Sequence, residues 1–470
     1  MKLPVVIGLV MVLLAGCATY RPRPLEPAWT AAAFEARTLD NPGLKKFLET
    51  NLRHEIGPWP LRSWDFQTLT LAAFYYHPDL DVARARWGTV AAGKITAGER
   101  PNPTAGFTPE HHSEAPGGIS SWTLGFNLDI PIETAGKRGY RLAQADHLSE
   151  AARLNIATAA WQVRSRLEAA FFDLFTAGKT EALLQREETV QAEIVRLLEN
   201  RLSVGDASLP DMTQARIALE QTRLLLVEAR KQKATANAAL ASAIGVPLAA
   251  MDGIHLTFNM IDEAPPSPSP PDVRRQALLN RPDLLALLAE YEAAQAALRL
   301  EVAKQYPDLH LGPGYQWDQG DNKWSLGFSV TLPLFNRNEG PIAEAEARRA
   351  ETAARFVQLQ AGVIGEMDQA LAGYRASLDK LGAADAILSA RKAWQNSVAA
   401  QFKAGEADRL TLTSAQLELE TAALARLETF SKTLQARRAL EDALQCPLTP
   451  AESLQVNVEV TPRPEKEHDQ

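Results

Sequence analysis

The residue types that could perform chemistry are present in this chain, but their spacing does not build a reactive site. Residues 134–139, TAGKRG, contain a Gly-Lys pair, yet Arg138 stands where a phosphate-binding loop requires Ser or Thr. The adjacent His111 and His112 lie in a polar segment, which is more typical of solvated histidines than of metal ligands. The sequence contains no HExxH, CxxC or nucleophile-elbow motif. We therefore expect no enzyme, no resident metal and no cofactor, and we interpret TAGKRG as a basic, flexible exit from a strand.

The residues that precede Cys17 predict a covalent modification of this cysteine. A short apolar run after Lys2 is typical of a secretory signal, and it is short for a membrane-spanning helix. The run ends in Leu-Ala-Gly-Cys, which resembles a bacterial lipobox. This resemblance implies cleavage before Cys17, lipid such as palmitate on its thiol and, because Ala18 follows, delivery to the outer membrane. The alternative is an ordinary signal peptide with a coincidental cysteine.

Charge and composition narrow the class of partner. The formal net charge is −8, the pI is near 5.7 and no dense block of Lys and Arg occurs, so a nucleic-acid partner is not expected. Cys17 and Cys446 are the only cysteines, so the sequence predicts no disulfide framework.

An internal repeat organises the chain. WTLGFNLDIP at 122–131 returns as WSLGFSVTLP at 324–333, an offset of 202 residues, and the segment 201–221 returns at 401–421, an offset of 200. Because separate landmarks keep their order at nearly one offset, we interpret the chain as a duplication. The predicted units are a signal peptide at 1–16, a lipidated extended segment at 17–62, a first repeat at 63–262, a Pro-rich linker at 263–271, a second repeat at 272–448 and a C-terminal tail at 449–470.

Each repeat is predicted to contain a shorter helix, a β-hairpin, a very long helix and a return helix, in that order. The expected helices are 63–99, 137–202 and 211–244, then 272–304, 340–403 and 409–445, with hairpins at 103–131 and 308–333. Seam positions from Leu142 to Ala177 recur every 3.5 residues on average, which is the left-handed coiled-coil period. The residues alone therefore predict a mainly α fold, in which long coiled-coil-like helices pack side by side, with a small β part; a coiled-coil stalk would explain the seam equally well.

The predicted strands have two unlike faces, one large and apolar and the other small and polar. A membrane β-barrel needs this alternation, because one face meets lipid and the other meets water. Open sheet edges are not tolerated in lipid, so four strands per chain require an oligomer. Eight strands enclose only side chains, whereas twelve leave a lumen, and we therefore expect a homotrimer. The residues expected to face outer-membrane lipid are Trp122, Leu124, Phe126, Leu128, Trp324, Leu326, Phe328 and Val330.

Several segments together resemble the TolC-like outer-membrane efflux proteins over nearly the whole mature length. They are LDIPIETAGKRG and LPLFNRNEGPIAEAEA after the two hairpins, SWDFQTLTLAAFYYHPDLDVARAR at the start of the first repeat, and the lipobox. The resemblance implies a homotrimer with a 12-stranded barrel in the outer membrane and a 12-helix tunnel through the periplasm. It further implies an exit duct served by a periplasmic adaptor protein and an inner-membrane pump. The segments after the hairpins are most similar to the branch that serves heavy-metal or small-molecule pumps, and the inner-membrane pump that this implies is of the RND type.

The same resemblance implies a constricted entrance at the helix–helix turns far from the membrane. By position Gly205, Asp211, Phe402 and Gly405 match the family's tip motifs, and three copies of Asp211 would form a carboxylate ring that favours cations. The alternative is that Asp211 is simply a helix N-terminal residue. Pro210 and Ala407 depart from the best-known members, which have a hydroxyl residue and an arginine there, so their gating bonds do not transfer.

Two other functions remain open from the sequence. The duct could serve type I protein secretion, because a duct does not itself select the substrate. A lipid-anchored coiled-coil scaffold without a pore would also explain the helical seams, but it predicts no two-faced strands.

Overall fold

The computed structural model describes residues 20–114, 117–261 and 270–448. The signal peptide 1–16, Cys17, linker residues 263–269 and the tail 449–470 lie outside the described residues. Most of the described chain is helical, and it also contains one four-stranded and one two-stranded sheet.

The two halves of the chain have a similar order of elements. The first half contains α1 Pro27–Glu35, α2 Pro42–Leu52, β1 Ser63–Trp64, α3 Phe66–Tyr76, α4 Pro78–Gly98, β2 Thr104–His111, β3 Trp122–Ile132, α5 Lys137–Ser203 and α6 Leu209–Ile244. After α6 come two short 3₁₀ turns, Leu248–Met251 and Asn259–Ile261, with the strand β4 His255–Leu256 between them. The second half contains α7 Pro270–Asn280, α8 Pro282–Ala303, β5 Leu309–Asp318, β6 Asp321–Val330, α9 Glu339–Ala404 and α10 Arg409–Leu444.

The structure corrects the extended segment expected at 17–62, because α1 and α2 are helices within it. Helix α2 starts at a strong local signal: the Asn41 side chain accepts hydrogen bonds from the backbone N–H groups of Gly43 and Leu44, and Pro42 occupies the first helical position. The sequence reasoning missed this cap because the segment is short and polar.

The structure also corrects the single helices expected at 63–99 and 272–304. Each is two helices, and each break falls at the residue that precedes a proline, His77 before Pro78 and Arg281 before Pro282. Proline lacks the N–H group and disfavours helical geometry in the residue before it, so it ends one helix and starts the next.

The N-terminal segment is attached to the helices by Arg37. Its Nη1 donates hydrogen bonds to the carbonyls of Tyr76, at 3.0 Å, and Gly245, at 2.7 Å. In the second half Arg281 donates to the carbonyl of Ala443 at 2.6 Å, at the matching helix end. Arg37 of the N-terminal segment thus binds a helix end of the first half. Arg281, at the break between α7 and α8, makes the corresponding contact in the second half.

The long helices α5 and α9 form the frame of the molecule. Helix α5 has 67 residues and α9 has 66, so each is about 100 Å long. Towards the sheet α5 packs with α4 and α8, and α9 packs with α8. Away from the sheet α5 packs with α6 and α10, and α9 packs with α10. Side by side, the four helices of the far half stand in the order α9, α10, α5, α6, because α10 contacts both α9 and α5.

A buried ionic quartet fixes the position of α10 along α5. Arg164 Nη1 lies 3.2 Å from Glu168 Oε2 and 3.3 Å from Glu441 Oε2, and Arg437 Nε lies 3.1 Å from Glu441 Oε1. All four side chains are at most 6% exposed. A sliding of one helix past the other would leave buried charges without partners, which is strongly unfavourable. The quartet therefore sets the register between the two halves of the chain.

The segment TAGKRG is ordered at the start of α5, which corrects the interpretation of a flexible exit. Lys137 is 6% exposed, and its Nζ donates to the Tyr306 carbonyl at 2.6 Å and to Asp308 Oδ1 at 2.7 Å. The Thr134 backbone N–H donates to the same Asp308 oxygen at 2.9 Å. These bonds join the exit of β3 to the start of β5.

The four-stranded sheet has the order β2-β3-β5-β6 and is antiparallel throughout. Its register places Phe107 opposite Phe126, Phe126 opposite Tyr315, and Tyr315 opposite Trp324. Residues directly opposite one another lie on the same face of a sheet, so one aromatic row crosses all four strands. Phe126 is 51% exposed and Trp324 is 81% exposed in the single chain.

The opposite face of the sheet is polar and hydrogen-bonded. His310 Nδ1 lies 3.0 Å from Asp129 Oδ2, and Asp318 accepts bonds from Lys323 at 2.5 Å and from Thr123 at 2.8 Å. Within the described residues β2 pairs only with β3, and β6 only with β5. The sheet is therefore two-faced and open at both edges.

The register makes a testable distinction between neighbouring residues. If the apolar face meets lipid, Phe126→Lys should cost roughly 2–4 kcal/mol per chain at mid-bilayer, because the charge leaves water. Asn127→Lys, one residue away on the polar face, is the matched control and should be tolerated. Thermal unfolding of both variants in reconstituted membranes measures the difference, and equal losses would contradict the assignment of the faces.

Candidate functional site

Two helix–helix turns lie at the end of the long helices remote from the sheet. The first joins α5 to α6 through Gly205, which has φ +83°, and the second joins α9 to α10 through Gly405, which has φ +80°. Glycine adopts this left-handed conformation without steric cost and so terminates a helix. In both turns the following amide, of Asp206 or Glu406, donates back to the last helical turn at 2.8 or 2.9 Å.

The two turns place all four residues of the expected entrance at this end of the chain. Gly205 and Asp211 lie at the connection between α5 and α6, and Phe402 and Gly405 lie at the connection between α9 and α10. Asp211 is exposed in the first turn of α6, where its carboxylate accepts the Ser208 hydroxyl at 2.5 Å. This contact with the N-cap residue fits the helix N-terminal interpretation within one chain. Phe402 is partly exposed in the last turn of α9.

Two ion pairs that sequence reasoning missed join the turns. Arg201 Nη2 lies 2.6 Å from Asp408 Oδ2, and Arg409 Nε lies 3.0 Å from Glu193 Oε1. Both pairs connect the end of α5 to the start of α10, and all four side chains are partly exposed. Pairs of this kind are individually weak and are screened by salt. No local pattern reveals them, because 207 residues separate Arg201 from Asp408.

The carboxylates of these pairs are strongly acidic. The Asp408 carboxylate accepts the backbone N–H of Thr411 and a bond from Arg201, and these lower its pKa to about 2. Arg196, and then Arg409, likewise lower the pKa of Glu193 to about 2. Both groups are therefore ionised at any physiological pH, so the ion pairs are present throughout that range.

The histidines of the hairpin loop have ordinary protein partners. His112 Nε2 lies 2.9 Å from Thr123 Oγ1, and the His111 ring meets the Trp122 ring edge to face at 4.8 Å between centroids. Within 20–114, 117–261 and 270–448, no three or more His, Cys, Asp or Glu side chains gather into a group that could hold a metal ion. In the same part of the chain, no helix combines the length and hydropathy that a membrane-spanning helix needs.

The chain belongs to the outer membrane efflux protein family, which matches it at residues 78–246 and 273–444. The predictions of this family, of an efflux exit duct and of an outer-membrane location are thereby confirmed. The chain is similar to the cobalt-zinc-cadmium resistance protein CzcC of Cupriavidus metallidurans, with 28% identity over 69% of this chain and 78% of that protein.

Two further comparisons agree with the family assignment. The cation efflux system protein CusC of Escherichia coli (strain K12) is 24% identical over 50% of this chain and 53% of that protein. The solved structure of the outer membrane protein VceC of Vibrio cholerae matches with a TM-score of 0.64 at 21% identity, covering 82% of this chain and 97% of that one. The latter comparison shows a shared fold.

The depressed pKa values predict the acid limit of the ionic contacts. A carboxyl group whose pKa is lowered by pairing is ionised, and bound to its partner, at any pH above the pKa of the unpaired carboxyl group. The contact is lost as the pH falls through the lowered pKa. The contacts should therefore persist unchanged from pH 8 to about 5 and weaken between 4.5 and about 2. Spin labels on Val204→Cys and Ala407→Cys, in a Cys446→Ser background, would report the separation of the turns. Arg201→Gln should move the transition to higher pH, and an unchanged midpoint would contradict the assignment.

Proposed function

We propose that three copies of the chain close into one continuous duct, with a 12-stranded barrel in the outer membrane and a 12-helix tunnel in the periplasm. The observation that carries this proposal is the sheet, which has one apolar face across all four strands and two open edges. Pairing β6 of one copy with β2 of the next removes every edge. Two copies would give a barrel filled by side chains, whereas three give a lumen.

The polar face of the sheet supports a water-filled interior. The His310–Asp129 and Lys323–Asp318 pairs belong to this face, where hydrated ions would pass. The residues that would contact lipid are those of the apolar face, namely Trp122, Leu124, Phe126, Leu128, Trp324, Leu326, Phe328 and Val330. A scaffold without a pore has no use for such a sheet.

The turns between the long helices would form the periplasmic entrance. In a three-fold assembly six turns converge, and they bring together Gly205, Asp211, Phe402 and Gly405 from each chain. The carboxylates of Asp211 would attract cations and repel anions, and the ring of Phe402 would narrow the opening. Lipid on Cys17 would add an anchor to a chain that the barrel already holds in the membrane.

The substrates proposed for the duct are small cations handed over by other proteins. CzcC is named for cobalt, zinc and cadmium resistance and CusC for cation efflux. The partners would be a periplasmic adaptor protein and an inner-membrane pump, of the RND type that the family resemblance implies. Export of proteins by a type I system is the second candidate, because the entrance geometry alone does not set the size of the cargo.

Single-channel conductance in planar bilayers tests the proposal. Asp211→Asn should reduce the preference for cations, and Phe402→Ala should raise the conductance, because the first removes charge and the second removes bulk at the entrance. Asp206→Asn is the control, since it removes a carboxylate from the same turn outside the four entrance residues. A protein that forms no channels would contradict the duct. Mutants that match wild type would place the constriction at other residues.

A further inference from the structure

Helices α5, α6 and α10 of one chain meet in an apolar layer in the half of the molecule remote from the sheet. Leu184 of α5 and Leu226 of α6 are buried together there, and Leu424 of α10 packs against them. Both α6 and α10 run antiparallel to α5. Later residues of α5 therefore lie level with earlier residues of α6 and of α10.

The next layer, one helical turn nearer the helix–helix turns, is polar. Residues three or four positions apart lie on the same face of a helix. At this spacing from the three leucines stand Glu187 of α5, Thr222 of α6 and Glu420 of α10. The Thr222 hydroxyl donates to Glu187 Oε1 at 3.5 Å, and Gln191 Nε2, one turn further along α5, donates to the same oxygen at 3.3 Å. We call these four residues the carboxylate layer.

The two carboxylates of this layer have no basic partner. Among the residues that the structure describes, Glu187 and Glu420 form no ion pair, whereas Glu188 and Glu418 on the same helices are each paired with an arginine. Burial raises the pKa of the Glu187 carboxyl, the Thr222 hydroxyl opposes this effect, and the negative charge of Glu420 adds to it. The layer therefore holds two like charges that repel each other.

Gln191 contributes an unsatisfied oxygen to the same layer. Its side chain is only 8% exposed, and its Oε1 atom is buried without a hydrogen-bond partner among the described residues. Buried polar atoms in native proteins normally have a partner, which is a protein group, a water or an ion. The Gln191 amide touches the Glu187 carboxylate, so a partner for this oxygen would lie beside that carboxylate.

The second half of the chain places a positive charge at the corresponding position. The residues 200 positions after Glu187 and Gln191 are Ile387 and Arg391 of α9. Arg391 pairs with Glu418 of α10. The guanidinium group that neutralises a carboxylate between α9 and α10 thus has no equivalent between α5 and its neighbours.

We propose that the carboxylate layer binds one Ca²⁺ ion in each chain, at the junction of α5, α6 and α10. The ligands would be the carboxylates of Glu187 and Glu420, Oε1 of Gln191 and Oγ1 of Thr222, and water would complete the coordination shell. All four side chains belong to one chain, so this inference does not rest on the proposed trimer.

The donor set matches a hard divalent cation. All the donors are oxygen atoms, and the two negative charges balance the charge of the ion. Ca²⁺ takes about six to eight oxygen ligands in a flexible arrangement, including amide oxygens and waters, whereas Mg²⁺ demands a nearly ideal octahedron. A site made of two carboxylates, an amide and a hydroxyl on three helices therefore favours Ca²⁺.

The spacing of the side chains fits an ion of this size. Two oxygen ligands that lie about 2.4 Å from an ion, at right angles to each other, are about 3.4 Å apart. Thr222 Oγ1 and Glu187 Oε1 are 3.5 Å apart. Turning the Gln191 amide over would place Oε1 where Nε2 now lies, 3.3 Å from the same Glu187 oxygen. Both present hydrogen bonds are long, so little is lost when these groups turn towards an ion.

Calcium binding to the detergent-extracted full-length protein tests the site. After metal is removed with EGTA and the EGTA is dialysed away, equilibrium dialysis against radioactive calcium should detect an ion in the wild type. Glu420→Gln should bind it at least about tenfold more weakly, because a charged ligand is lost. Ions held elsewhere, for example at Asp211, contribute equally to both proteins.

Glu418→Gln is the matched control for this experiment. It removes a carboxylate from the same helix, two residues away, that Arg391 already neutralises. It should bind calcium like the wild type. Equal binding by the wild type and Glu420→Gln, or an equal loss in Glu418→Gln, would overturn the proposal.

Thermal unfolding distinguishes a ligand from a residue that acts only through packing. In EGTA, Glu420→Gln should be at least as stable as the wild type, because its repulsion with Glu187 is removed. In millimolar Ca²⁺ the melting temperature of the wild type should rise and that of the variant should not, because an ion that binds only the native site stabilises it. A variant that is less stable by the same amount in both buffers would contradict the site. Mg²⁺ at the same concentration should give a smaller rise, and an equal rise would overturn the assignment to calcium.

Discussion

The unpaired edges of the four-stranded sheet are the constraint on which the rest of the structure depends. Strands β2 and β6 each leave one row of backbone groups without a strand partner in the described chain. Every such group costs several kcal/mol in hydrocarbon, so the sheet enters a membrane only as part of a closed barrel. The strands pass within a few residues into α4, α5, α8 and α9. In the proposed trimer, closing the barrel would therefore also bring the long helices of neighbouring copies side by side.

The ion pairs along α5 differ in how deeply they are buried. The quartet around Arg164 and Glu441 is almost completely shielded from water, where the loss of one partner is severe. The pair of Arg201 and Asp408, at the far end of the same helix, is partly exposed and weak. Buried ionic contacts thus fix α5 near its middle, whereas weak, partly exposed ionic contacts hold the end of α5 that is remote from the sheet. Such a gradient would suit the proposed tunnel, with a firmly held wall and a weakly held entrance.

The elements with strong periodicity could be predicted from the sequence. The 3.5-residue seam indicated the long helices, and the alternation from Trp122 to Ile130 indicated a two-faced strand. Short elements with weak patterns were missed, such as α1 and α2, and the breaks at Pro78 and Pro282 were not placed. The entrance turns were located from glycines at matching positions, because a left-handed helix end is a local feature. The ion pairs across α5 and α10 were not found, because they depend on packing between distant segments.

The stoichiometry of the purified protein tests the central claim most directly. Native mass spectrometry of the detergent-extracted assembly gives the number of chains without assuming any conformation. The account predicts a mass of three mature, lipid-carrying chains, because three copies of a four-stranded sheet close a barrel with a lumen. A stable monomer or dimer with its sheet intact would contradict it.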